Sequence, residues 1–324
     1  MNHRRVQLAA LTAAIPLALS GCAGLVGVRD APAEVTDGPS ISQSAGAEVT
    51  QRVLGEAAVA LDRTGKDAAA DHERVLTGPA LASAQARVRV DQVEDGPGSL
   101  APQAEARVLA VSRGTAWPRS ILATSRQDEE QLLHVLVADG PTTPYRLFAT
   151  LPMAAGASIP AFAAPEDGVA VKAPQDVTEK DLAAARAWAQ GLSFPAPKKA
   201  PASVVLDDPF STALRQNAAA QQKALGRLAS YKVEHAVRDE GIVFALADGG
   251  TLTVTSLTRK DTVTASNRAK ELRMPSDLAE VLGTRTISDE LTVNHLETVA
   301  LVTPEKGKTS VVAAAEQLSG AKGS

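Results

Sequence analysis

"SFPAPKKAPAS", residues 193–203, holds three prolines and two lysines and no apolar run. Proline has no amide to give to a sheet, so such a stretch makes no interior strand. Its ring also clashes with the preceding turn, so it continues no helix. The segment reads as a linker, and it divides the chain into two halves that can be compared. Each half runs helices first and antiparallel strands afterwards. The expected fold class is α+β, with two tandem modules, each an N-terminal helix or helices packed on a curved antiparallel sheet.

On the N-terminal side of the linker, Thr178 opens a helix. Asp181 stands where a capping box needs an acid, Trp188 falls inside the helix, and Gly191 ends it. Further upstream, Val49, Val53, Ala57, Ala60 and Leu61 recur at helical spacing, which predicts an amphipathic helix from residue 48. A second helix is expected over 66–76, stopping before Gly78-Pro79, and "ARVRV" (86–90) alternates as a strand does. Three strand-like runs follow, at 105–111, 118–125 and 130–137. Asp139-Gly140-Pro141 then turns the chain, and Tyr145, Leu147, Ala149 and Leu151 alternate in a fourth. Residues 147–164 are apolar enough to suggest a membrane span, but Pro152, Gly156 and Pro160 interrupt them. A terminal strand and a small-residue loop are expected instead.

On the C-terminal side, Asp208 caps a helix and Pro209 takes its first position. Phe210, Leu214, Ala218, Gln221, Leu225 and Leu228 form its inward stripe. Residues 231–238 alternate as a strand. Residues 241–247 and 251–257 flank "DGG", a hairpin signal. A short helix around 278–282 interrupts, and 291–303 and 309–316 flank "PEKGK" as a second hairpin.

The N-terminus carries an address. Arg4 and Arg5 precede an almost uncharged apolar run, 6–19, that is short for a span of roughly 20 residues. Small residues and Cys22, the only cysteine, follow. This is the layout of a secretory signal peptide. Leu19-Ser20-Gly21-Cys22 resembles the lipobox of bacterial lipoproteins. That resemblance implies a diacylglycerol on the Cys22 thiol, cleavage before it and acylation of the new terminus. The expected organisation is a signal peptide over 1–21, a lipidated cysteine and flexible tether over 22–46, and a first α+β domain over 47–165. A helix and Pro-rich linker over 166–206 and a second α+β domain over 207–324 complete it. With one cysteine committed to lipid, the mature chain forms no internal disulfide.

The formal charge is −4, and about −6 once residues 1–21 are removed. That balance disfavours nucleic acid, which calls for a clustered basic face, and a polybasic grip on anionic lipid. Aromatic residues make up only 3% of the chain, too few for base- or sugar-stacking platforms. The order of elements resembles the cone-shaped nuclear-transport-factor-two-like (SnoaL-like) fold. Lipobox plus two such modules resembles actinobacterial lipoproteins of unknown function.

No nucleophile elbow, no Ser-x-x-Lys of the penicillin-binding type and no dinucleotide fingerprint after a strand occurs. Gly307-Lys308-Thr309-Ser310 mimics the end of a phosphate loop, but the earlier glycine is replaced by Val302 and no helix follows. The histidines lack metal-ligand spacing. Asp71-His72-Glu73 reads as a solvated helix patch, and His134 as a polar residue on a packed strand. One set in the second half is suggestive. His235 shares a strand face with Tyr231 and Val233; His295 and Glu297 share one with Val293 and Val299; Gln221 interrupts the helix stripe. If the helix covers that sheet, Gln221, His235, His295 and Glu297 converge in one pocket.

The expected function is that of an exported lipoprotein, anchored to the outer face of the bacterial cell membrane. There it acts as a non-enzymatic binding or scaffolding module of the cell envelope. The alternative is an enzyme or carrier for a small apolar or lipid molecule, with His235 or His295 as base. Expected partners are the membrane, through lipid on Cys22, and an envelope protein or small apolar ligand. No nucleic acid, nucleotide, metal or other cofactor is expected.

Overall fold

The computed structural model describes residues 38–63, 68–90, 105–269 and 271–324. Cys22 and the expected signal peptide lie outside the described residues, as does most of the tether. Ser42 starts the first helix, accepting the amide of Ala45 on its side-chain oxygen and so satisfying a donor that the opening turn leaves free. α1 (Gln43–Leu61) therefore begins earlier than expected and takes in the end of the tether. α2 (Ala68–Val75) falls within the expected second helix. Its His72 is 2% exposed, and Nε2 donates to the carbonyl of Ala60, so this histidine is not on a solvated patch. α3 (Gly78–Arg89) replaces the expected strand at 86–90. Pro79 in its first turn opens the helix, because the missing amide there would have no partner anyway.

β1 (Ala106–Val111), β2 (Arg119–Gln127), β3 (Glu130–Ala138) and β4 (Arg146–Pro152) form an antiparallel sheet in chain order, close to the four predicted runs. One face buries Val108, Ile121, Leu136 and Leu147 under Leu54 and Ala57 of α1 and Val75 of α2. Beyond β4, residues 153–164 form a loop that places Ile159 and Phe162 against the core. No helix among the described residues is long and apolar enough to cross a membrane.

The chain continues through β5 (Val171–Lys172), α4 (Ala183–Gly191) and α5 (Pro209–Leu225). Thr178 and Asp181 do bond each other, but α4 proper starts at Ala183. Asp208 caps α5 through the amide of Ser211, as predicted. β6 (Ala229–Ala245) is one long strand where two were expected, with a register break between Val237 and Gly241. β7 (Thr251–Ala265), β8 (Leu272–Arg273), α6 (Ser276–Leu282), β9 (Thr286–Ile287), β10 (Glu290–Thr303) and β11 (Ser310–Gly323) follow. The main sheet has order β11-β10-β7-β6-β5, and β8 pairs with β9 alone. Its helix-facing side places Leu257, Val299 and Leu301 against Trp188 and Leu192.

The remaining faces of the two sheets meet each other. Leu122, Leu133, Val135 and Leu151 pack against Ile242, Phe244, Leu252, Val254 and Ala300. The layers are helices, sheet, sheet, helices. Each half is indeed helix on antiparallel sheet, so the α+β class holds. Besides the cores under their own helices, however, the two halves share the core between their sheets, and Thr36–Ser324 is one compact unit. Both ends of the Pro-rich segment are strapped to the second sheet. Phe194 exchanges two backbone hydrogen bonds with Val233, at 3.0 and 2.8 Å, and Val205 donates to Thr309 at 2.8 Å. The expected free linker is thus pinned, although Lys198 and Lys199 remain exposed.

Candidate functional site

The helix-facing side of the second sheet changes character along its strands. Near the hairpin ends it is apolar. Farther out, His235, Arg259 and His295 lie directly opposite one another on β6, β7 and β10. Side chains in a strand alternate faces, so Asp261, Glu297 and Tyr231 join them on the same side, and Glu316 stands across from Glu297 on β11. Arg259 is the hub. Its Nη1 donates to Glu297 Oε1 at 3.0 Å and to Glu316 Oε2 at 2.5 Å, and its Nε lies 3.2 Å from Asp261 Oδ1. His235 Nε2 is 3.4 Å from Glu297 Oε2, and His295 Nδ1 is 3.9 Å from Asp261 Oδ2. The Tyr231 hydroxyl bonds the Asp261 carboxylate.

Trp188 of α4 closes this cluster. Its Nε1 donates to Ser211 Oγ at 2.8 Å, its ring stacks on Phe210, and its edge meets the His235 ring at 6.4 Å between centroids. The side chains of His235 and Glu297 are 0% exposed, and that of Arg259 is 8%. Both ring nitrogens of His235 and Oε2 of Glu297 lack a hydrogen-bond partner.

Burial sets the proton affinities. It holds His295 down to about 3, aided by the charges of Arg259 and His235. It raises Asp261 against the pull of Arg259, and it raises the Tyr231 hydroxyl, with the Asp261 charge adding to the effect. Burial also opposes the Arg259 charge, but Glu297, Asp261 and Glu316 outweigh it and hold Arg259 above its usual range.

The structure thus brings His235, His295 and Glu297 together and leaves Gln221 out. Gln221 is exposed on α5. Its neighbour Gln222 faces the sheet, accepting the Tyr231 amide at 2.8 Å and donating to the Ala229 carbonyl at 3.3 Å. Arg259, Asp261 and Glu316 were not predicted. The strand expected to end at 257 runs on to Ala265 and carries Arg259 and Asp261, whereas Glu316 stands on β11 at the end of the run expected over 309–316.

Among the described residues no group of three His, Cys, Asp or Glu side chains could hold a metal ion. A cavity of about 90 Å³, lined by Leu61, Leu76, Leu147 and Ala315, touches the cluster only at Glu316. An open cleft of about 860 Å³, lined by Arg107, Arg126, Met153 and Phe210, lies apart from it.

The first sheet buries a histidine too. His134 is 0% exposed, with Ser125 Oγ 2.7 Å from Nε2 and Thr150 Oγ1 3.1 Å from Nδ1. Burial lowers it to about 4. This is the polar residue on a packed strand that the sequence suggested. No family model, curated protein or solved structure matches the chain.

Proposed function

We propose that this protein is an exported lipoprotein, held to the outer face of a bacterial cell membrane through lipid on Cys22. Its folded body serves as a non-enzymatic binding or scaffolding module of the envelope. One observation carries the reading: an Arg pair, a short apolar run and Leu19-Ser20-Gly21 stand in order before the only cysteine of the chain. Each buried methylene of a lipid contributes about 0.8 kcal/mol, so two or three acyl chains hold where one would not. A non-enzymatic body is supported by the sealing of His235 and Glu297, since a general base must come within hydrogen-bond reach of its substrate. A lipid site at the charged cluster is disfavoured by size, because the cavity that touches it at Glu316 is about 90 Å³, far below the roughly 300–1,000 Å³ of ordinary ligand sites, and the open cleft of about 860 Å³ lies apart from it. The helices-then-sheet order of both halves supports reading them as two nuclear-transport-factor-two-like modules packed sheet to sheet.

Intact mass spectrometry of the protein purified from membranes tests the anchor. The expected mass is that of the chain from Cys22 with acyl groups attached. Cys22→Ser is expected to yield only unlipidated precursor. A mature wild-type chain with no acyl mass would sink the reading.

A further inference from the structure

The turn from β1 into β2, running from Arg113 to Arg119 at the start of β2, carries one of the two tryptophans. Trp188 is fully buried, whereas Trp117 is only half-buried at the loop tip. Around it the tip is uncharged: Gly114, Thr115, Ala116 and Pro118, with Thr115 and Ala116 exposed. An arginine flanks each side. The Arg119 guanidinium lies 4.2 Å above the Trp117 ring and donates to the carbonyls of Ser40 and Thr115. Arg113 donates to the carbonyls of Asp167 and Gly168. Both guanidinium groups therefore bond neutral acceptors, and neither charge is cancelled by contact there.

This tip stands where the N-terminal segment joins the body. Gly114 donates to the Gly38 carbonyl at 2.7 Å, and Ser40 donates to the Ser112 carbonyl at 2.8 Å. Cys22 precedes Gly38 by sixteen residues, a length that reaches at most about 55 Å. Among the described residues, the strand edge beside this loop is the first part of the body to follow the anchor.

We propose that the Arg113–Arg119 loop seats the body on the interfacial layer of the phospholipid bilayer to which Cys22 is attached. The proposal rests on the lipoprotein reading. An indole has an apolar body and a polar N–H, and it settles at the level of the headgroups. Arginines beside it keep their stems on apolar surface and their charge in water. Glu166 and Asp167 are exposed on the adjoining loop, so the patch has no large excess of positive charge and the contact depends on Trp117. One indole binds a bilayer weakly. Tethering converts that weak binding into an intramolecular event at high effective concentration, which is what makes it count.

The test uses the chain from Cys22 to Ser324, which contains the whole compact unit Thr36–Ser324. Its sole cysteine is coupled to maleimide lipid in phosphatidylglycerol–phosphatidylethanolamine vesicles. Coupling supplies a lipid at Cys22 whether or not a cell does, so the outcome is separate from that of the mass measurement. Coupling is expected to shift tryptophan emission to shorter wavelength, and brominated lipids are expected to quench it. Trp117→Phe, checked for a cooperative unfolding transition like that of the wild type, is expected to lose both effects, because buried Trp188 alone remains. Unchanged wild-type emission on coupling overturns the proposal. Quenching that persists in Trp117→Phe overturns it equally, since the signal would then come from Trp188.

Discussion

His134 and His235 are both buried imidazoles on the helix-facing sides of antiparallel sheets, and the two sheets accommodate them by opposite means. His134 sits between two neutral hydroxyls, those of Ser125 and Thr150, and each ring nitrogen has a partner. His235 sits among charges: Glu297 beside it, Arg259 across from it, and Asp261 and Glu316 on the same face. Neither of its nitrogens makes a hydrogen bond. A histidine on an apolar strand therefore says little about function until its partners are counted. In the first sheet it is one closed unit in a core. In the second it belongs to a cluster of buried charges that face one another.

The sharpest way to break this comparison is to remove the hub. Arg259→Met keeps much of the side-chain volume and leaves Glu297 and Asp261 without their cation. Removing one partner of a buried ion pair costs about 3–5 kcal/mol, and Arg259 serves three carboxylates. The expected outcome is a lower urea midpoint with an unchanged m-value, a larger loss than any substitution at His134 produces. A loss below about 1 kcal/mol, the level of exposed ion pairs, would show that water reaches the cluster.

Acid should act on both sheets. In the unfolded chain each histidine takes a proton near 6.5. In the folded chain His134 does so only near 4 and His295 only near 3. Between these limits the unfolded state binds more protons, so stability is complete above about pH 6.5 and falls as the pH drops. Asp261 works the other way: burial raises it, so its folded form keeps a proton that the unfolded chain has released, and it adds stability in acid. Each histidine accounts for at most about 1.4 kcal/mol per pH unit. Urea unfolding followed from pH 7 to 4 should show this decline, and His134→Leu should lose one histidine's share of the slope. A slope unaltered by that substitution would mean that His134 titrates normally in the fold.

At neutral pH the same variant reads the hydroxyls. His134→Leu leaves the buried Ser125 hydroxyl and the part-buried Thr150 hydroxyl without the ring, and an unsatisfied buried polar group costs about 1–3 kcal/mol. A double change, His134→Leu with Ser125→Ala, is expected to recover part of the loss. No recovery would indicate that Ser125 finds another partner.

Much of this was written in the sequence, and the gaps have physical causes. Alternating apolar residues and Asp-Gly turns located the strands of the first sheet, and the Asp208-Pro209 pair located α5. The run Leu132-Leu133-His134-Val135-Leu136-Val137 does not alternate, and in the structure all six residues are buried. Such a run is what a strand covered on both faces looks like. Here one of its faces is the one on which the two sheets stack. Arg259 and Asp261 were missed for a different reason. Hydrophobic periodicity cannot register a buried face that is made of charges, so the periodic signal ends before the strand does. Gln221 was wrong by one position: the helix turns Gln222, not Gln221, toward the sheet.

The smallest effect is the most discriminating. His235→Leu replaces an imidazole with an apolar side chain of similar volume at a site whose edge already meets Trp188. No hydrogen bond of the ring exists to be lost, and no hydroxyl is orphaned. A volume-conserving apolar replacement in a packed site costs under about 1.5 kcal/mol. The substitution is therefore expected to cost less than His134→Leu, although His235 lies in the more highly charged surroundings. The order reverses if His235 pairs with Glu297, whose Oε2 lies 3.4 Å from its Nε2, because its removal then strips that carboxylate in the way the loss of Arg259 does. Paired urea titrations at neutral pH decide between the two. A cost for His235→Leu above that for His134→Leu would make His235 a second partner of Glu297 and reverse the contrast between the sheets.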